Sequence, residues 1–146
     1  MFKVLLALHL LAAVFAVGPL VHAATTASRG LRHGDAAAIK ASARMCTIYS
    51  AASVLVVIFG FGLMSSTSPY THEKVADFGD VWIWLSLLLW LVAAALAFFV
   101  VVPALDRAAA DTTTASAMVG RVAATGGIVG ILFAVIIFLM VYRPGS

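Results

Sequence analysis

Residues 120–142, GRVAATGGIVGILFAVIIFLMVY, contain no Asp, Glu, Lys or Arg after Arg121, which stands at their edge. An apolar run of this length fits a helix crossing the ~30 Å hydrocarbon layer of a bilayer. Gly126, Gly127 and Gly130 inside it would weaken a helix in water, but in lipid they let a second backbone approach. The stretch therefore reads as a membrane span built for packing, and it sets the terms for the rest of the chain.

Working outward, three more runs of the same kind occupy residues 4–24, 46–64 and 81–102, with the quoted stretch supplying a fourth over 122–142. Each is long enough to span. The 146 residues are 64% hydrophobic and 10% charged, with a mean hydropathy of +1.12. A soluble domain of this size cannot hide that much apolar surface, so lipid must be the solvent. The expected fold is all-α and polytopic: one domain over residues 1–146, a four-transmembrane-helix up-down bundle with no extramembrane domain. Lys3 followed by the first run and Val21-His22-Ala23 also has the outline of a secretory signal. We read the segment as a retained span.

The stretches 25–45, 65–80 and 103–121 hold nearly all the charge and read as connections. Arg29, Arg32, Lys40, Arg44, Arg107 and Arg121 fall in the first and third, against Lys3, Lys74 and Arg143 on the opposite side. The positive-inside rule then puts both termini outside, with Trp82 and Trp84 in an outer aromatic belt. Asp35, Asp80, and Asp111 or one of Thr112, Thr113 and Thr114 are placed to cap helices, while Pro103 and Pro144 mark ends. Pro19 after Gly18 frees the carbonyl of Phe15 and predicts a kink in the first helix. No internal repeat is visible.

A net charge of +3 spread over short loops gives no basic face for nucleic acid. Cys46 is the one cysteine, which excludes an intrachain disulfide and a thiolate metal cluster. The spans carry no Asp, Glu, Lys or Arg away from their edges, which disfavours a pump or ion-coupled transporter. Thr47, Ser50, Ser53, Ser86 and Thr125 are expected to bond to their own helix or a neighbour. His9 and His22 would lie about 20 Å apart along a helix, the spacing of axial ligands for two b-type haems. The other spans contain no histidine to oppose them, so the expectation is His9 packed in the bundle, on a stripe with Ala12, Ala13 and Ala16, and His22 at an interface. His72, Glu73, Asp77 and Asp80 match no metal-ligand spacing, and no nucleophile stands with a matched base. No catalytic or metal site is expected.

The packing pattern is more legible. Gly126 and Gly130 form a GxxxG pair, Ala123 and Gly127 a second small pair, and Gly120 with Ala124 extends the seam. Ala93 and Ala97 in the third span, Ala12 and Ala16 in the first, and Ser50, Ser53, Gly60 and Gly62 in the second offer matching shallow surfaces. Leu87–Leu89, Leu91, Phe98, Phe99 and residues 100–102 make the third span almost uniformly apolar, as for a peripheral helix.

HLLAAVFAVGPL (residues 9–20), WLSLLLWLVAAALAFFVVVPALDR (84–107) and GRVAATGGIVGILFAVIIFLMVYRPG (120–145) together resemble a widespread bacterial family of uncharacterised four-helix integral membrane proteins, distantly similar to the copper-resistance D type of membrane domain. The resemblance implies four helices and a multi-pass place in a bacterial cytoplasmic membrane, and assigns no activity. In the haem- or copper-associated relatives a histidine early in the first helix matters, and His9 matches that position only.

Three functions remain open. The leading expectation is a non-catalytic accessory subunit, without cofactor, whose partners are the bilayer and other subunits of a larger complex such as a respiratory oxidase assembly or a lipid-transport machine. A second is a haem- or copper-handling protein that binds its cofactor, haem b, through His9, with His22 as a further candidate ligand. The third is a small transporter of a neutral or apolar solute.

Overall fold

The computed structural model describes residues 1–145. Four helices are long and apolar enough to cross a membrane: α1 (Phe2–His33), α2 (Ala36–Met64), α3 (Val81–Ala110) and α4 (Thr112–Tyr142). They run alternately up and down, so Met1, the 65–80 loop and the C-terminal end share one end of the bundle. This is the four-helix membrane fold that the hydropathy pattern requires.

The helices overrun the apolar stretches. Residues 25–45 and 103–121 are almost wholly helical, and the two connections shrink to Gly34–Asp35 and Asp111. Alanine is the commonest residue in both stretches and the strongest helix former, and at a membrane surface a helix keeps backbone groups paired. Each turn has its own chemistry. Gly34 sits at φ 61°, ψ 26° as the left-handed cap of α1. The Asp35 carboxylate accepts from the amides of Ala37 and Ala38 at 3.1 and 3.2 Å. Asp111 accepts from the Thr113 amide at 3.1 Å and its hydroxyl at 2.6 Å, bonds that hold its carboxyl below the ordinary carboxylate range. A depressed carboxylate stabilises the fold above its unfolded value, so this cap weakens as pH falls through the lowered one.

Two caps differ from expectation. Asp80 occupies the N-cap of α3 without bonding to it; its carboxylate instead accepts from the Asp77 amide at 2.9 Å. Pro103 ends nothing, because α3 passes through it after a π-helical turn at Ala97–Val101. An identical turn at Ala13–Val17 precedes Pro19 in α1. The wider turn absorbs the missing N–H and the ring clash that a proline brings to a helix interior. Both sites share the pattern Ala-x-Phe-x-Val-x-Pro, residues 13–19 and 97–103, a short recurrence that hydropathy alone hides. In each, the phenylalanine faces outward: Phe15 is 68% exposed and Phe99 72%.

The core is thickest near the Gly34 and Asp111 turns. There Leu20, Leu31, Ile39, Leu105 and Val122 are fully enclosed or nearly so, and Gly18–His33 packs on both α2 and α4. Toward the termini the bundle opens. Phe2–Ala12 packs mainly on α2 and contains no buried residue, while Val81–Leu96 packs mainly on α4. Trp90 Nε1 bridges the two limbs by donating to Ser53 Oγ at 3.1 Å. At the end, Phe78 stacks between Phe61 and Trp84, with ring centroids 6.4 and 6.3 Å away. Trp82 departs from the expected lipid-facing belt: it is buried under the Arg143 guanidinium, 5.6 Å from the ring centre. Val101, read as part of a bare apolar face, is core.

The tightest approach joins α1 to α4. A Cβ on Gly126 would collide with the carbonyl oxygen of Ala24 and lie 2.8 Å from its carbon. Backbone cannot yield as a flexible side chain can, so Gly126→Ala is expected to lower stability by about 1–3 kcal/mol, as for overpacking of a filled core. Gly127→Ala meets no atom within 4 Å and should leave stability unchanged or raise it by up to ~1 kcal/mol through helix propensity. Thermal unfolding of the two variants in detergent measures the difference.

Candidate functional site

The small residues of α4 divide into two edges. Gly126 is buried against Ala24 and Thr25, and Gly130 faces Thr25 Cγ2 and Val21 Cγ1, at 3.5 and 3.7 Å from an added Cβ. Ala123 is half-buried beside them. Gly120, Ala124 and Gly127 are exposed, and a Cβ on either glycine would meet nothing within 4 Å. At ~100° per residue the three lie roughly opposite the buried Val122, Gly126 and Val129. The seam read as continuous is thus two surfaces, one closing the bundle and one facing out.

Other packing candidates are consumed internally. Ala93 and Ala97 are fully buried in α3, Ala16 is buried in α1, and Ala12 is half-buried. Within α2, Ser53 donates to the Ser50 carbonyl at 2.7 Å and Thr47 to Ala43 at 2.9 Å. In α4, Thr125 donates to Arg121 at 2.7 Å. The hydroxyls of Ser50 and Ser86 are buried without a hydrogen-bond partner.

His9 is held by α2. Its Nδ1–H donates to the Val56 carbonyl at 2.8 Å, and Gly60, one turn on, makes room: a Cβ there would lie 3.2 Å from the ring's Cε1. In the neutral ring this bond fixes the tautomer and leaves the lone pair on Nε2. His22 is exposed further along α1 and does not join it; its backbone carbonyl accepts from the hydroxyls of Thr25 and Thr26 at 3.2 and 2.7 Å. Among the described residues no three His, Cys, Asp or Glu side chains converge on a point that could hold a metal ion. Cys46 is fully buried in α2.

Charge is unevenly divided between the two ends. Arg29, Arg32, Lys40, Arg44, Arg107 and Arg121 with Asp35, Asp106 and Asp111 stand at the end of the short turns; Lys3, Lys74 and Arg143 with Glu73, Asp77 and Asp80 stand at the other. The net charge of +3 is therefore carried wholly by the first end. Two of its arginines share one cavity: Arg107 of α3 and Arg121 of α4 line a space of about 90 Å³ with Phe99, Val100, Pro103, Ala104 and Met118. The polarity of 103–121 marks both as loop charges in the sequence, whereas both stand on helices.

A family model described as "Predicted integral membrane protein (DUF2269)" matches residues 3–144. The chain belongs to this family. The match takes in all four helices, both π-turns and both edges of α4. Its description names a membrane protein and no copper or haem activity. No curated protein and no solved structure matches the chain.

Proposed function

We infer that this DUF2269 protein is a non-catalytic subunit that docks onto a larger membrane complex through the Gly120–Ala124–Gly127 edge of α4. One observation carries the reading: two glycines stand on an outward helix face with nothing against them. Glycine in a helix interior costs about 1 kcal/mol relative to alanine, and in α4 that cost is offset at Gly126 by close backbone packing. At Gly120 and Gly127 the chain itself supplies no such return. A neighbouring helix lying in that shallow edge would gain the dispersion contacts that drive association in lipid. The short connections, too small to fold alone, leave helix faces as the available recognition surface.

Gly120→Ile with Gly127→Ile fills the edge without touching the bundle. The variant should fold with the thermal stability of the parent yet no longer co-purify, in mild detergent, with the membrane proteins that accompany it. Unchanged co-purification, or a parent chain that purifies free and monodisperse, would contradict the docking role.

A second reading rests on His9. A ligating histidine commonly donates its other ring nitrogen to a carbonyl, which orients the ring, and the His9–Val56 bond supplies that half of the arrangement. The His9 Nε2, which keeps the lone pair, would share one haem b or copper with a partner helix. Purified material would then show a Soret band that His9→Ala removes; a haem-free parent with no copper retires the reading.

A further inference from the structure

We propose that the cavity between α3 and α4 lined by Arg107 and Arg121 holds the phosphate of an anionic phospholipid headgroup. Both arginine side chains are exposed, and among the described residues neither has a hydrogen bond, salt bridge or ring contact. The nearby carboxylates do not neutralise them: Asp111 is taken up by Thr113, and Asp106 makes no salt bridge to either.

Depth makes this pair unusual. Arg107 lies one turn from the end of α3 at Ala110, whereas Arg121 lies about 13 Å along α4 from Thr112. Pro103 and Val100, with Met118 from α4, line the cavity beside it. A guanidinium among apolar side chains is costly unless it reaches water or meets an anion. The cavity has room for the second: it is small and lined by two residues whose planar five-donor guanidinium groups suit a phosphate's oxygens.

The surroundings select a lipid over a soluble phosphate. Phe99 lines the cavity and is exposed with Phe98 next to it, so the site runs directly onto a surface where acyl chains lie. A phospholipid seated there would put its phosphate between the arginines and its chains along Phe98 and Phe99. This end of the bundle also carries the whole net positive charge, which concentrates anionic lipid around it. None of Gly120, Ala124 and Gly127 lines the cavity, so the assignment does not rest on a partner docking at that edge.

Native mass spectrometry of the full chain in detergent, titrated with phosphatidylglycerol or phosphatidylcholine, tests the assignment. The parent should retain phosphatidylglycerol in preference to phosphatidylcholine, and millimolar inorganic phosphate should not displace it. Arg107→Gln with Arg121→Gln should lower phosphatidylglycerol affinity by about tenfold or more, since two charge-assisted contacts are lost. Arg29→Gln with Arg32→Gln, which removes equal charge at the same end, should retain it. Arg107→Lys with Arg121→Lys keeps both charges and should bind more tightly than the Gln pair, which also guards against a folding defect in the latter. Equal binding by the parent and the Gln pair, equal loss in the Arg29/Arg32 pair, or displacement by inorganic phosphate would each overturn the proposal.

Discussion

Closure of α1 onto α4 at Gly126 and Ala24 is the contact on which the bundle depends. The turns at Gly34–Asp35 and Asp111 pair α1 with α2 and α3 with α4, but two helical hairpins in lipid have little hydrophobic reason to associate, since the acyl chains are as apolar as the side chains. Dispersion at short range must supply the attraction, and its reach is a few ångströms. Gly126 removes the one atom that would hold the backbones apart. Around it Val21, Thr25 and Gly130 continue the contact, and the Trp90–Ser53 bond fixes α3 against α2 from the other side.

The prolines fit the same scheme. Each odd-numbered helix passes through a proline after a five-residue π-turn and continues without ending. Beyond these turns, toward the termini, Phe2–Ala12 stays mainly with α2 and Val81–Leu96 mainly with α4. The limbs are then tied by local polar contacts: His9 to the Val56 carbonyl on one side, Arg143 over Trp82 and against the Val75 carbonyl on the other. The bundle is thus closed at one end, near the two short turns, and looser at the other.

Hydropathy made four helices plain because apolar runs of about 20 residues have no other stable form in lipid. Helix ends were harder, since the polar 25–45 and 103–121 stretches resemble loops by charge yet continue as helices by propensity. Asp35 and Asp111 announced their caps locally. Asp80 did not, because its carboxylate is claimed by a turn within the folded 65–80 loop. The glycines of α4 were legible as packing residues but not as two separate edges: Gly126 and Gly127 are neighbours in sequence and about 100° apart on the helix, and only the partner's position decides which is covered. Arg107 and Arg121 share a cavity for the same reason, being brought together by a turn whose position their own spacing does not reveal.

α4 thus has an inner edge that packs on α1 and, at Gly120 and Gly127, an outer edge with nothing against it. Oxidative cross-linking in native membranes tests that division most directly, in a Cys46→Ser background. Thr25→Cys paired with Gly130→Cys should form a disulfide within one chain, because an added Cβ at position 130 lies 3.5 Å from the Thr25 side chain. Cross-linking of Thr25→Cys with Gly127→Cys, and not with Gly130→Cys, would mean that α4 is rotated and that the edge assigned to a partner is the one closing the bundle.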